Sequence, residues 1–396
     1  MKKLLVFALC VAAVFCTAAR ASETADVYPY DASYAAYWFT PASAEYIPDT
    51  DAKALLLMEQ STGRVLFAQN GTGHLPIASV TKVMSTLLVL EALDSGRITL
   101  DETVTVSDNA ASMGGSQVFL EPGEQMPVRD LLKALVVASA NDATVALGEH
   151  ICGSEASFVA EMNRRAAELG CENTNFVNTN GLPAEGHYSC ALDIALITRE
   201  LMNHPLIFEY SGIWMDTIRN GSFGLSNTNK LIRFYKGATG MKTGFTAEAG
   251  FCLSGTAERD GMQLIAVVLG CSTSDKRFSA AKSLLDHGFA NYRVQTPDPP
   301  QTGNLKVTHG ERGEVSTATS PVTVLDEKAA RGGIETKIEL PGSVRAPVCK
   351  GDVLGQAVYT REGKELARGD IVAAEDVPEM TYGAMLKKLL SAIFRL

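Results

Sequence analysis

Paired metal-ligand spacings are missing from this chain. Its eight cysteines form no C-x-x-C and its six histidines no H-E-x-x-H, so no zinc centre is expected, and no metal or other cofactor enters the reading. Positive charge is short as well: 35 Lys and Arg against 45 Asp and Glu give a formal charge of −10. A chain of that balance, without a basic arm, cannot neutralise a run of phosphates, which excludes nucleic acid as a partner. There is no internal repeat and no low-complexity tract. Cysteine is too sparse for a disulfide scaffold: Cys10 and Cys16 fall in the first 21 residues. Cys152, Cys171, Cys190, Cys252, Cys271 and Cys349 read as buried free thiols, because a chain this long needs no staples.

What is present begins at the ends. Residues 1–21 open on Lys2 and Lys3, run through the apolar stretch Leu4 to Phe15 and close on Ala19-Arg20-Ala21, the plan of a secretory signal peptide. The protein is therefore expected to be exported. Residues 22–50 are a Tyr- and Ala-rich leader without a clean period. At the other end Met385, Leu386, Leu389, Leu390, Ile393 and Phe394 fall on one helical face, with Lys387, Lys388, Ser391 and Arg395 opposite. Residues 381–396 thus predict a basic amphipathic helix lying in a membrane interface, the other use of such a face being to dock on protein.

Between the ends, Ala54 to Met58 and Arg64 to Ala68 predict a hairpin, and a long apolar helix follows from Ser79 to about Leu93. Helical patterns cover Arg129 to Ala138, Asp142 to Ile151, Ala156 to Leu169 and Ala191 to Asn203. Strands return only at Met241 to Thr243, Phe251 to Ala257 and Gln263 to Leu269, before a helix from Ser274 to Tyr292. A hairpin first, helices in the middle and three strands last predict an α+β domain over residues 51–294, its five-stranded antiparallel sheet built from both ends of the domain. Pro297, Pro299 and Pro300 mark a stiff linker. Beyond it, residues 303–378 carry short β-rich runs broken by Gly-containing turns, the pattern of a small all-β module.

Three motifs carry chemistry. Ser79-Val80-Thr81-Lys82 opens the apolar helix, which puts a hydroxyl and an amine on one face of its first turn. Burial and the positive end of the helix disfavour the Lys82 ammonium, and a neutral lysine can take the serine proton. Alone this means little, since Ser279-Ala280-Ala281-Lys282 spells the same pattern. Ser139-Ala140-Asn141, at a break between two helices, and Lys242-Thr243-Gly244, on a strand, follow the first copy in a fixed order. The literal Ser107-Asp108-Asn109 ends a short strand, where Ser107 reads as a cap.

With these motifs the chain resembles the serine penicillin-recognising enzymes. More narrowly it is similar to the low-molecular-mass D-alanyl-D-alanine carboxypeptidases, on Leu75 to Met84, Ala138 to Ala143, Gly181-Leu182-Pro183 with Gly186-His187-Tyr188-Ser189, and Gly237 to Gly244. The resemblance implies a β-lactamase/transpeptidase-like catalytic domain, a bacterial cell-wall location on the outer face of the cytoplasmic membrane, and stem peptides of peptidoglycan ending in D-Ala-D-Ala as substrate, with β-lactams as inhibitors. It further implies Ser79 as acyl-forming nucleophile, Lys82 as its proton acceptor and Ser139 as proton relay to the departing D-alanine. Asn141 is then expected to hold the peptide amide, Lys242 and Thr243 the terminal carboxylate, and Gly244 to complete the motif. The backbone N–H groups of Ser79 and Phe245 are expected to form the oxyanion hole, and Arg277 to offer a second charge. His187 reads as structural, because the implied mechanism uses no histidine base.

Three rival readings share these residues. A β-lactamase of the commonest class needs a Glu-bound water, and no E-x-x-L-N lies between Ser139 and Lys242. An endopeptidase cutting cross-linked wall peptides uses the same set. A non-enzymatic penicillin-sensing or wall-binding module is expected to have lost at least one of Ser79, Lys82, Ser139, Asn141 and Lys242.

Overall fold

The computed structural model describes residues 48–393. The signal segment, the leader up to residue 47, and residues 394–396 of the expected terminal helix lie outside the described residues.

Ala54–Glu59 (β1) is buried at every position. It pairs antiparallel with Val65–Gln69 (β2) on one side, through the turn that follows Gln60. Ala238–Thr246 (β3), Gly250–Arg259 (β4) and Met262–Cys271 (β5) complete one antiparallel sheet of order β2-β1-β5-β4-β3. Strand residues alternate between its faces. Ala54, Leu56, Met58, Ile265, Val267 and Leu269 enter the larger core, whereas Leu55, Leu57, Leu264, Ala266 and Val268 enter a second core on the other face. Burial on both faces explains why β1 and β5 read as continuous apolar runs rather than alternating ones.

The larger core is closed by helices Lys82–Asp94 (α1), Asn141–Cys152 (α2), Glu155–Glu168 (α3) and Ala191–Leu201 (α4), the second by Ser274–Asn291 (α5). Residues 82–90 of α1 are all buried, as expected of a helix apolar on nearly every side. Two local details depart from the sequence expectation. Helix α1 begins at Lys82, not Ser79: residues Ala78–Thr81 form a tighter 3₁₀ turn, entered through Ala78 at φ +48°. The helix ending at Ala138 finishes in a wider π turn over Ala134–Ala138, and the chain reverses at Ser139 with φ +61°.

After α5, Tyr292–Gln295 pairs antiparallel with Val324–Glu327, so the catalytic-domain side of the proline linker ends in a strand paired with the tail. The tail holds a further six-stranded sheet with its own small cores. The chain is thus α+β, with an antiparallel sheet between helical layers followed by a β domain. Tyr382–Ile393 (α6) closes the described chain. Its Tyr382, Met385, Leu386, Leu389, Leu390 and Ile393 are exposed, and Lys388 donates to the carbonyl of Glu311 at 3.1 Å. No described helix is long and apolar enough to cross a membrane.

Candidate active site

Ser79 is half-buried in the turn before α1, while the helix that follows is buried. Nζ of Lys82 lies 3.0 Å from Oγ of Ser79, 2.6 Å from Oδ1 of Asn141 and 2.9 Å from the carbonyl of Asn180. Lys82 is completely buried. Burial, reinforced by the charge of Lys242 and only partly opposed by Asp142, pushes its amine well below the ordinary lysine range.

Asn141 is placed by the reversal at Ser139. Its side-chain amide donates to the carbonyl of Gly114 at 2.6 Å and its backbone N–H to that of Ser116 at 2.7 Å. The next residue, Asp142, is buried and accepts from the N–H groups of Val118 and Leu120, each at 3.0 Å. The start of α2 therefore fixes the 114–120 loop as well as Asn141. Ser139 itself is buried, in a left-handed conformation.

Strand β3 is the sheet edge, and it brings the third motif to the same place. Gly244 packs on the Ser79 turn: a Cβ there would meet the Ile77 carbonyl at 2.7 Å and the N–H nitrogens of Ser79 and Val80 at 2.9 and 3.0 Å. Thr243 pairs hydroxyl to hydroxyl with Thr228 at 2.6 Å. Lys242 is buried and donates to the Thr243 carbonyl at 3.0 Å. Burial, with the nearby Arg277 charge, brings its ammonium down to about 7. Phe245 is 56% exposed and stacks on Phe251 with ring centres 4.3 Å apart. Arg277, from α5, is buried, donates to the carbonyls of Gly244 and Cys252 at 3.1 Å each and lies over Phe251 and Phe278. It ties α5 to strands β3 and β4 under the Lys242 motif.

The duplicate motifs sit elsewhere. Ser279 is exposed on α5. Ser107 caps a short helix, accepting from the Ala110 N–H at 2.9 Å, and donates to Glu149. Sequence reasoning missed Asn180, which acts through a backbone carbonyl and so leaves no side-chain signature, and Thr228, which no motif contains. The neighbouring Gly181 is the readable trace of the first: at φ +82° its Cβ would fall 1.9 Å from the Ala78 carbonyl. All six described cysteines are unpaired, with Cys171, Cys190, Cys252 and Cys271 buried.

A buried lysine against a serine, packed beside the edge strand of a five-stranded antiparallel sheet, defines the class of serine-type hydrolases built on this fold. Residues 41–273 match the family model of D-alanyl-D-alanine carboxypeptidases, and residues 299–379 match the C-terminal domain of penicillin-binding protein 5. The D-alanyl-D-alanine carboxypeptidase DacF of Bacillus subtilis is 40% identical over 347 residues, covering 86% of this chain and 89% of that protein. DacC of Escherichia coli is 34% identical over 343 residues, 84% and 86% of the two chains. The crystal structure of penicillin binding protein 5 from Haemophilus influenzae superposes with a TM-score of 0.76 at 31% identity, over 84% of this chain and 99% of that one. Penicillin-Binding Protein D2 from Listeria monocytogenes, in its ampicillin-bound form, matches 61% of this chain and 98% of its own at 35% identity and a TM-score of 0.56. The chain belongs to the D-alanyl-D-alanine carboxypeptidase family.

Proposed function

We propose that the protein is an exported enzyme that removes the terminal D-alanine from peptidoglycan stem peptides through an ester on Ser79, and that β-lactams acylate the same hydroxyl. The observation that carries this reading is the buried Lys82 amine 3.0 Å from Ser79 Oγ. As a neutral amine it gives its two N–H groups to Asn141 Oδ1 and the Asn180 carbonyl, which leaves its lone pair for the serine proton. Ser79 Oγ then attacks the carbonyl of the penultimate D-alanine. The negative oxygen forms against the N–H groups of Ser79 and Phe245, which the close packing of Gly244 on the Ser79 turn holds on one side of the cleft. Ser139 passes a proton to the departing D-alanine amine, Asn141 holds the peptide amide, and Lys242 with Thr243 takes the terminal carboxylate. Water then releases the shortened peptide and restores Ser79.

Residues 51–294 carry out this chemistry, and α6 seats its exposed apolar face in the membrane surface, with Lys387 toward anionic headgroups. The test is D-alanine release from a soluble peptide ending in D-Ala-D-Ala: release by the wild type and none by Ser79→Ala supports the reading, and equal release by both overturns it.

A further inference from the structure

Ser79 follows a residue in an unfavourable conformation. Ala78, at φ +48°, lies in the left-handed region that a non-glycine residue enters only when its surroundings hold it there. The Ala78 carbonyl is held by Thr81, whose hydroxyl donates to it at 2.9 Å. That hydroxyl is in turn 2.8 Å from Nε2 of His187, a buried ring whose Nδ1 accepts the Val177 N–H at 3.1 Å. These partners fix every proton. Nδ1 uses its lone pair on Val177, so the ring hydrogen sits on Nε2 and points at Thr81 Oγ1, and the Thr81 hydrogen is left for Ala78. Phe176, also buried, packs against the ring with centres 5.9 Å apart. The chain of bonds thus starts at the 175–188 segment and ends on the peptide that enters Ser79.

We propose that His187 is a positioning residue for the nucleophile: through Thr81 it holds the Ala78 carbonyl, and with it the turn that keeps Ser79 Oγ beside Lys82. The ring touches neither substrate nor reacting atoms. Its effect is expected to fall on the bond-forming step, because the Thr81 hydroxyl and the His187 ring bond only each other, Ala78 and Val177, and not Asn141, Lys242 or Thr243, which are proposed to bind substrate.

This inference rests on the proposed role of Ser79, and the experiment separates the two. Acylation by benzylpenicillin is followed under saturating conditions, so that the binding constant and the limiting acylation rate are obtained separately, for the wild type, Ser79→Ala, Thr81→Val, Thr81→Ser, His187→Asn and His187→Gln. Thr81→Val and His187→Asn, in which the bond between the two side chains is lost, are expected to lower the limiting rate on the order of 10- to 100-fold, with the binding constant within about twofold. Thr81→Ser keeps the hydroxyl and is expected to restore most of the rate, and His187→Gln, which can still donate near the Nε2 position, to fall between. Wild-type limiting rates in Thr81→Val and His187→Asn would overturn the inference. So would a loss that appears in binding alone, or one that Thr81→Ser shares with Thr81→Val. Acylation of Ser79→Ala at the wild-type rate would instead overturn the role of Ser79 itself.

Discussion

Gly244 and Ser79 belong to motifs more than 160 residues apart, yet a Cβ on the first would come within 2.9 Å of the backbone nitrogen of the second. The edge strand and the nucleophile turn are therefore in backbone contact, next to the bond between Lys82 and Ser79.

Gly244→Ala tests that contact. All three near atoms are backbone, so they cannot swing aside and the strand or the turn must shift. The expected result is a fall in kcat/KM of about 100-fold with a stability loss of about 1–3 kcal/mol. D-alanine release and urea unfolding measure the two.

Lys82→Met tests the buried amine through stability. The folded protein holds Lys82 well below its ordinary value of 10.5. Between the folded value and 10.5 the unfolded chain binds a proton that the folded chain does not, so wild-type stability rises with pH across that window. Relative to Lys82→Met, the wild type is expected to gain up to about 1.4 kcal/mol per pH unit as pH rises toward 10.5. Denaturant unfolding of both proteins at several pH values provides the check, and a difference that stays flat contradicts it.

Arg277→Gln tests the charge beneath Lys242. Lys242 titrates at about 7, lowered by burial and then by Arg277, and it is charged below that pH. If it binds the substrate carboxylate, kcat/KM falls as pH rises past that value. Removing the Arg277 charge is expected to move this alkaline limb upward. Substrate turnover across pH 5 to 10 reads the shift, and an unmoved limb removes Lys242 as its source.

Much of this arrangement is legible in the sequence, for physical reasons that particular residues show. β1 and β5 carry unbroken apolar runs, residues 54–58 and 264–269, because each strand lies between two cores. The three motifs are informative together because they meet in space: Lys82 reaches Ser79 and Asn141, and Gly244 packs on the Ser79 turn. What the sequence hides is backbone conformation. Nothing in Pro76-Ile77-Ala78 announces a left-handed alanine, so the pattern extends α1 back to Ser79 although the helix starts at Lys82. Asn180 reaches Lys82 through a carbonyl, which any residue carries. Arg277 is expected only as a second charge for the substrate, yet it shares the buried face of α5 with Ala280, Ala281, Leu284 and Gly288; the helical register carried that information.

The tail provides a prediction of its own. Asp326 is buried and accepts from Arg361, from Arg293 at 3.0 Å and from Gln295 at 2.7 Å. Asp326→Ala would leave Arg361 buried without its carboxylate, and the expected loss is about 3–5 kcal/mol, read by thermal unfolding. D-alanine release below the melting transition is expected to be unchanged, since no residue of this cluster reaches the cleft.

The membrane proposal is tested by Leu386→Glu with Leu389→Glu, which puts two charges on the exposed face of α6. Sedimentation with anionic vesicles is expected to fall to background while soluble-peptide turnover is unaffected. Equal sedimentation of variant and wild type assigns that face to something other than lipid.

The central claim is the ester on Ser79, and intact-mass spectrometry after brief exposure to benzylpenicillin tests it most directly. The account predicts one added drug mass, located by peptide mapping to Ser79 and absent from Ser79→Ala. An adduct that persists in Ser79→Ala, or no adduct on the wild type, would contradict it.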